Sequence, residues 1–195
     1  MAVLTLFEPC KSHQFAASRR ECAGVWRFKR RNVVETLMGW TVDVAFRPSG
    51  THGMGAFAAQ DIAAGTKVWV FDKSMSVGEY RDLVKLTPAQ IHFALHGGYL
   101  HHPSGKFVWY DDGMHYVNHA DFPAANIGIT EWTALEDDNC TALRDIAAGE
   151  ELLEDYQFWS VLSLSHDHWL RRLYTEFCPE HYAFLMDIEK RRKAA

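Results

Sequence analysis

Asp61-Ile62-Ala63-Ala64-Gly65 recurs 84 residues later as Asp145-Ile146-Ala147-Ala148-Gly149. An alanine stands three residues before each aspartate (Ala58, Ala142), and an apolar run follows each glycine (Val68-Trp69-Val70-Phe71; Leu152-Leu153). Each copy predicts a strand, a tight turn closed by glycine and a second strand, that is, a hairpin. A single echo is no repeat array, so the pattern points to a largely β core and not to a solenoid.

Working outward, Thr41-Val42-Asp43-Val44-Ala45-Phe46 alternates polar and apolar residues as a half-buried strand does, and Arg47-Pro48-Ser49-Gly50 reads as the turn that follows. In Gly53-Met54-Gly55, two glycines let the backbone approach a neighbour or ligand closely, although Gly-x-Gly alone is a weak signal. Thr87 to His96 predicts a short helix, with threonine as the cap, Pro88 in the first turn and Ile91, Ala94 and Leu95 on one face, ending at Gly97-Gly98. Tyr99-Leu100 and Lys106 to Tyr110 flank a Pro-Ser-Gly turn and predict a hairpin. Beyond Tyr156 the spacing of Leu162, Trp169, Leu173 and Phe177 is helical up to a stop at Pro179, with the basic tail Lys190-Arg191-Arg192-Lys193 after it.

The 195 residues suit one domain with a terminal extension. With 48% hydrophobic and 23% charged residues the composition excludes collagen-like, low-complexity and wholly disordered chains. No apolar run approaches the roughly 20 residues that span a bilayer, and the first eight residues lack the basic flank of a secretory signal. The expected setting is therefore intracellular, cytoplasm or nucleus. The net charge of −5 divides unevenly: residues 1–36 carry seven basic and three acidic groups, and the remainder carries −9. A basic N-terminal extension over 1–39, poorly ordered, is expected to precede an acidic domain. Neither membrane attachment nor direct nucleic-acid binding is expected, and the charge total is silent on oligomeric state. Cys10, Cys22, Cys140 and Cys178 show no C-x-x-C spacing, so neither a disulfide framework nor a cysteine-rich zinc cluster is implied.

Three separated segments carry the chemistry: Gly53-Met54-Gly55, then Tyr116-Val117-Asn118-His119-Ala120-Asp121-Phe122-Pro123, then Gly149-Glu150-Glu151-Leu152 running to Tyr156. In that order, and with the two echoed turns, residues 40–157 resemble the SET-domain family of protein-lysine methyltransferases. The resemblance implies an α+β, mainly β fold of the β-clip type. Its C-terminal segment would be threaded through a loop, with an insert at about 72–98 and a helical segment over 158–195. That segment would replace the family's zinc-bound cysteine cluster, since Cys178 stands alone.

The resemblance also implies roles. The backbone of His52, Gly53, Met54 and Gly55 would cradle the amino-acid end of S-adenosylmethionine, and Asn118 and His119 would hold the same cofactor. Tyr99 would be a further cofactor or channel contact. Tyr156 takes the position of the catalytic tyrosine. Tyr116, Ile127, Glu154 and Phe158 would line the substrate channel, with Phe158 or Trp159 closing over adenine or channel, or else packing in the core. The implied reaction is methyl transfer to the side-chain amine of a lysine in a protein or peptide, histone or non-histone. The amine must be neutral, although its reference pKa is about 10.4. Dehydration and a nearby sulfonium both lower that value, so no strong base is obligatory and orientation would supply much of the rate.

The departures are Ala120 where serine is usual, Ala124 where asparagine is common, and Glu154 and Ile127 where aromatic residues often limit the number of methyl groups added. For Glu154, a solvent-facing carboxylate is preferred over one that hydrogen-bonds the amine, because acidic side chains rarely bury without a partner. His92 and His96, at i and i+4, share a helical face with His101 and His102 following, but no carboxylate completes a familiar metal set, so no metal is expected. The alternative to an enzyme is a catalytically silent SET-like module that binds a peptide or protein partner. Retention of Gly53, Gly55, Asn118, His119 and Tyr156 together favours the enzyme.

Overall fold

The computed structural model describes residues 26–27, 39–156, 161 and 164–194. Phe158, Trp159, Leu162, Cys10 and Cys22 lie outside the described residues. Among the described residues eleven short strands make three sheets. The first joins β1 (Trp26–Arg27), β2 (Val44–Pro48) and β3 (Met54–Ala58), all antiparallel. The strand predicted from Thr41 thus begins at Val44, and two residues of the basic N-terminal segment pair with it.

Five strands form the second sheet: β4 (Lys67–Val70), β8 (Asn118–His119), β9 (Ile127–Gly128), β10 (Asn139–Ala142) and β11 (Leu153–Glu154), in the order β4-β10-β9-β11-β8. The third holds β5 (Ser76–Gly78), β6 (Tyr99–His101) and β7 (Lys106–Trp109), with the predicted β6–β7 hairpin in place. Helices are α1 (Tyr80–Leu83), α2 (Pro88–Gly97), α3 (Trp169–Phe177) and α4 (Pro179–Ala194).

The echoed segments do not form the hairpins expected of them. β3 and β4 lie in different sheets, and β9 separates β10 from β11. The two copies pair with each other instead, Ile62 N–H to Ile146 O at 2.8 Å and Ile146 N–H to Ile62 O at 2.9 Å. The local turns are as read, with Gly65 and Gly149 at φ of 79° and 89°, a region that glycine enters without the steric cost a Cβ adds. A strand's edge, however, is satisfied by whichever partner the tertiary fold presents.

The position of β11 controls everything at the site. It lies parallel to both β8 and β9, with Leu153 opposite Asn118 and Glu154 opposite His119 and Ile127. β8 and β9 are neighbours in sequence, so the chain leading to Tyr156 passes between two strands already joined by one loop.

Helix α2 is capped as read: the Thr87 hydroxyl accepts from Gln90 N–H, the Gln90 side chain accepts from Thr87 N–H, and Pro88 opens the first turn. α3 ends at Phe177, so the helical run stops as expected just before Pro179. The residue begins α4, which carries the basic tail in helical form, because a proline lacks only an N–H that a first turn leaves unpaired anyway.

Two apolar clusters result among the described residues. One fills the β layers around Val44, Val68, Trp69, Ile127, Ile146 and Leu152. The other packs α2, α3 and α4 on β7 through Leu95, Phe107, Leu170, Leu173, Leu185 and Ile188, with Tyr156 at its margin. No described helix is long and apolar enough to cross a membrane.

Candidate active site

The Gly53 loop, β8 and the segment after Gly149 come together through one side chain. Asn118 Nδ2 donates toward His52 O and Met54 O, each at 3.0 Å, and toward Glu151 Oε1 at 2.9 Å. The loop needs its glycines for different reasons. Gly53 has φ of 50° and open space where a Cβ would lie, whereas a Cβ on Gly55 would stand 2.4 Å from Glu151 Oε1. Beside Asn118, the His119 ring lies 5.2 Å from that of Tyr156, and His119 Nδ1 faces Tyr156 N–H at 3.3 Å. His119 Nε2 is buried and 3.4 Å from Asp121 Oδ1, but without hydrogen-bond alignment. Burial pushes the His119 imidazole below its ordinary pKa, against the pull of Asp121.

Tyr156 turns its hydroxyl to the Val117 carbonyl at 2.5 Å. Burial, and secondarily the charge of Glu154, raise this phenol well above its usual range, so it is a neutral donor and acceptor at pH 7. It lines a cleft of about 630 Å³, counting the open mouth. Trp69, Tyr99, Tyr110 and Tyr174 supply aromatic wall, Gly97 and Gly98 bring the end of α2 close, and His96, His115 and His181 supply imidazoles. Among the lining residues Glu154 alone is acidic, and none is Lys or Arg. Tyr99 presents its ring, since its hydroxyl goes to buried Asp138.

Glu154 overturns its expectation. It is 5% exposed, not solvent-facing: it lines the cleft with Trp69, Tyr99 and Tyr110. The thiol of Cys140 lies 3.6 Å from its Oε1. Tyr116 and Ile127 are not among the cleft's lining residues. Tyr116 packs on Phe46 and His115, and Ile127 is fully buried in the β core.

Residues that the sequence left unmarked also shape the site. Phe184 of α4, 43% exposed, sets its ring edge-on to His119 at 6.1 Å and Tyr156 at 6.4 Å. Arg192 of α4 pairs with Asp121 and with Asp155, a buried carboxylate next to Tyr156. His181 and Leu185 of α4 and Tyr174 of α3 close one side of the cleft. Their signal was the helical period alone, which says that a face is buried and not what it covers. Among the described residues no group of three or more His, Cys, Asp or Glu is arranged to hold a metal. His92 and His96 stack at 6.2 Å, and His96 meets His181 at 5.0 Å.

A β core whose last strand slips between two earlier ones, delivering a part-buried tyrosine beside a glycine loop and an Asn-His pair, defines a SET-type domain. The chain belongs to the SET-domain family, whose model matches residues 53–157, more than half of its length. Members of that family are generally protein-lysine methyltransferases that use S-adenosylmethionine. Among solved structures, a humanized mutant of the Chaetomium thermophilum Polycomb Repressive Complex 2 bound to the inhibitor GSK126 is 26% identical. That match has a TM-score of 0.43 and covers 60% of this chain and 15% of the other. The same fungal complex in an autoinhibited conformation bound to S-adenosylmethionine is 22% identical, with a TM-score of 0.45, over 71% of this chain and 17% of that one. The chain thus spans under a fifth of the length of those it matches. No curated protein matches the sequence.

Proposed function

We propose that this chain transfers a methyl group from S-adenosylmethionine to the side-chain amine of a lysine in a protein or peptide. The observation that carries the reading is the meeting of the Gly53 loop, Asn118 and the Tyr156 segment at the edge of an aromatic cleft holding one acidic side chain.

The residues present fit the cofactor. Space is open over Gly53, where a side chain would intrude, and the half-exposed Phe184 ring offers apolar surface beside His119. His52, Gly53 and Met54 would hold the amino-acid end through main-chain groups, Asn118 keeping that loop in place. His119 and Phe184 would hold the rest. S-adenosylmethionine, when bound, supplies an electrophilic methyl group on a sulfonium.

The chain's own contribution is binding, dehydration and aim. The faces of Trp69, Tyr99 and Tyr110 suit a cation, and a water-poor cleft lowers the pKa of an ammonium that enters it. Because Tyr156 donates its proton to Val117 O, its oxygen presents lone pairs that can accept an amine N–H and hold the nitrogen in line.

The test is incubation with isotopically labelled S-adenosylmethionine and a panel of lysine-containing proteins, histones among them. Label on lysine is the expected result. Cofactor binding with no transfer to any lysine, the protein's own included, would leave a silent binding module instead. Mass spectrometry of lysine methylation in cells with and without the protein would then identify the substrate.

A further inference from the structure

Glu154 is a buried carboxylate at the one place where the proposed reaction brings a substrate cation. Its main chain is held between His119 and Ile127 in the sheet, so the side chain enters the cleft from rigid backbone. A charge on it raises the hydroxyls of Tyr99, Tyr110 and Tyr156 and the Cys140 thiol, and that thiol lies 3.6 Å from its Oε1. All four are pushed up and stay protonated at neutral pH. Across the cleft His96, His115 and His181 are pushed down by burial, and so are neutral there too. Asp138, beside Tyr99, is raised by burial and takes the Tyr99 hydroxyl proton as a hydrogen bond. Among the lining residues the one carboxyl group is that of Glu154.

We propose that Glu154 recognises the substrate ammonium and accepts its proton before the methyl group is transferred. This rests on the methyltransferase reading. A carboxylate can accept about four hydrogen bonds, and the Cys140 thiol supplies one of the donors to Glu154. In the step itself an N–H bond breaks, its electron pair stays on nitrogen as the attacking lone pair, and an O–H bond forms on Glu154. Nothing is oxidised or reduced. Out of water, desolvation disfavours both charges and draws a carboxylate–ammonium pair toward its neutral form. Methylation makes the nitrogen cationic again, and the proton on Glu154 then passes to water at the cleft mouth. Tyr156 aims the nitrogen and Glu154 frees its lone pair.

The first arm of the test needs no methyl donor. Binding of n-butylammonium and of 1-butanol to the intact protein is compared by ligand-observed NMR at pH 7. Wild type is expected to prefer the cation at least about ten-fold, and Glu154→Gln to bind the two nearly alike. Equal binding by wild type overturns cation recognition. Glu154→Asp, which keeps the charge, should retain part of the preference and guards against misfolding of the glutamine variant.

The second arm follows transfer to mixed histones from pH 6.5 to 9.5. Wild-type log kcat should be nearly flat. Glu154→Gln should be roughly 100-fold slower at pH 7 and rise with pH as solvent takes over deprotonation. Tyr156→Phe should be slow at every pH with the wild-type slope. Identical slopes in wild type and Glu154→Gln overturn the proton role. Wild type inactive on every acceptor sinks the methyltransferase reading and the proton step together, while the butylammonium comparison still decides recognition.

Discussion

Asp61 and Asp145 cap each other's turns. An Asp145 carboxylate oxygen accepts from Ala64 N–H at 2.8 Å, and Asp61 returns the contact to Ala148 N–H at the same distance. With the Ile62–Ile146 bridge between them, the two copies of one pentapeptide form a locally two-fold arrangement. It joins the turn after β3 to the turn before β11, and so anchors both ends of the site's framework. Removing either carboxylate strands a backbone N–H, at a cost of about 1 kcal/mol. Urea denaturation of Asp61→Ala and Asp145→Ala should show similar losses; a large loss in one alone would contradict the reciprocity.

Asn118→Ala should cost about 1–2 kcal/mol in the same assay, since one amide serves acceptors on two segments. Cofactor affinity, measured by calorimetry, should fall at least ten-fold as the Gly53 loop loosens. Asn118→Asp should be worse, because it sets a carboxylate against two carbonyls and the Glu151 carboxylate. Cofactor binding unchanged in both variants would remove Asn118 from the site.

Tyr156→Phe keeps the ring against His119 and loses only the hydroxyl on Val117 O. Methyl transfer should drop about 100-fold or more, with cofactor affinity altered by no more than a few-fold. Full activity would take Tyr156 out of the mechanism.

Arg192 ties α4 to the site by pairing with Asp155 and Asp121. Arg192→Ala takes a charge partner from the buried Asp155 carboxylate, a loss of about 2–3 kcal/mol by chemical denaturation. Arg192's own hydrogen bonds to Asp121 hold the Asp121 carboxyl below its ordinary range. Their stabilisation is present above the unfolded pKa near 4 and disappears as pH falls through the lower folded value. Wild type should therefore lose more stability than the variant on acidification below pH 4.

His181, enclosed by α3, α4 and α2, is pushed down to about 4, chiefly by burial and then by His96 and His92. The unfolded chain takes up a proton near pH 6.5 and the folded one does not until about 4. Stability present above 6.5 should thus drain away across that window, by about 2–3 kcal/mol in all. In His181→Phe the slope of unfolding free energy between pH 6.5 and 4 should be visibly shallower, and an unchanged slope would place the titration elsewhere.

What could be read before folding was local, because its causes are local. Threonine and proline at the start of α2, glycine at positive φ in two turns, and alternation in β2 act within a few residues, so the chain states them directly. The order of Gly53, Asn118 and Tyr156 could be read as a family pattern for the same reason. Strand partners were beyond reach, since an exposed edge carries no address: the echoed turns pair with each other because the fold sets them side by side. Nor could the sequence tell that Pro179 opens α4, for proline ends one helix and begins another with equal ease. Glu154 marks the limit most clearly. By composition an acidic residue belongs in water, and only the insertion of β11 between β8 and β9 removes it from water and turns it into the cleft. The sequence by itself determined the turns, the caps and the residue types of the site. The tertiary structure decided which of them face one another, because burial and charge pairing depend on segments far apart in the chain.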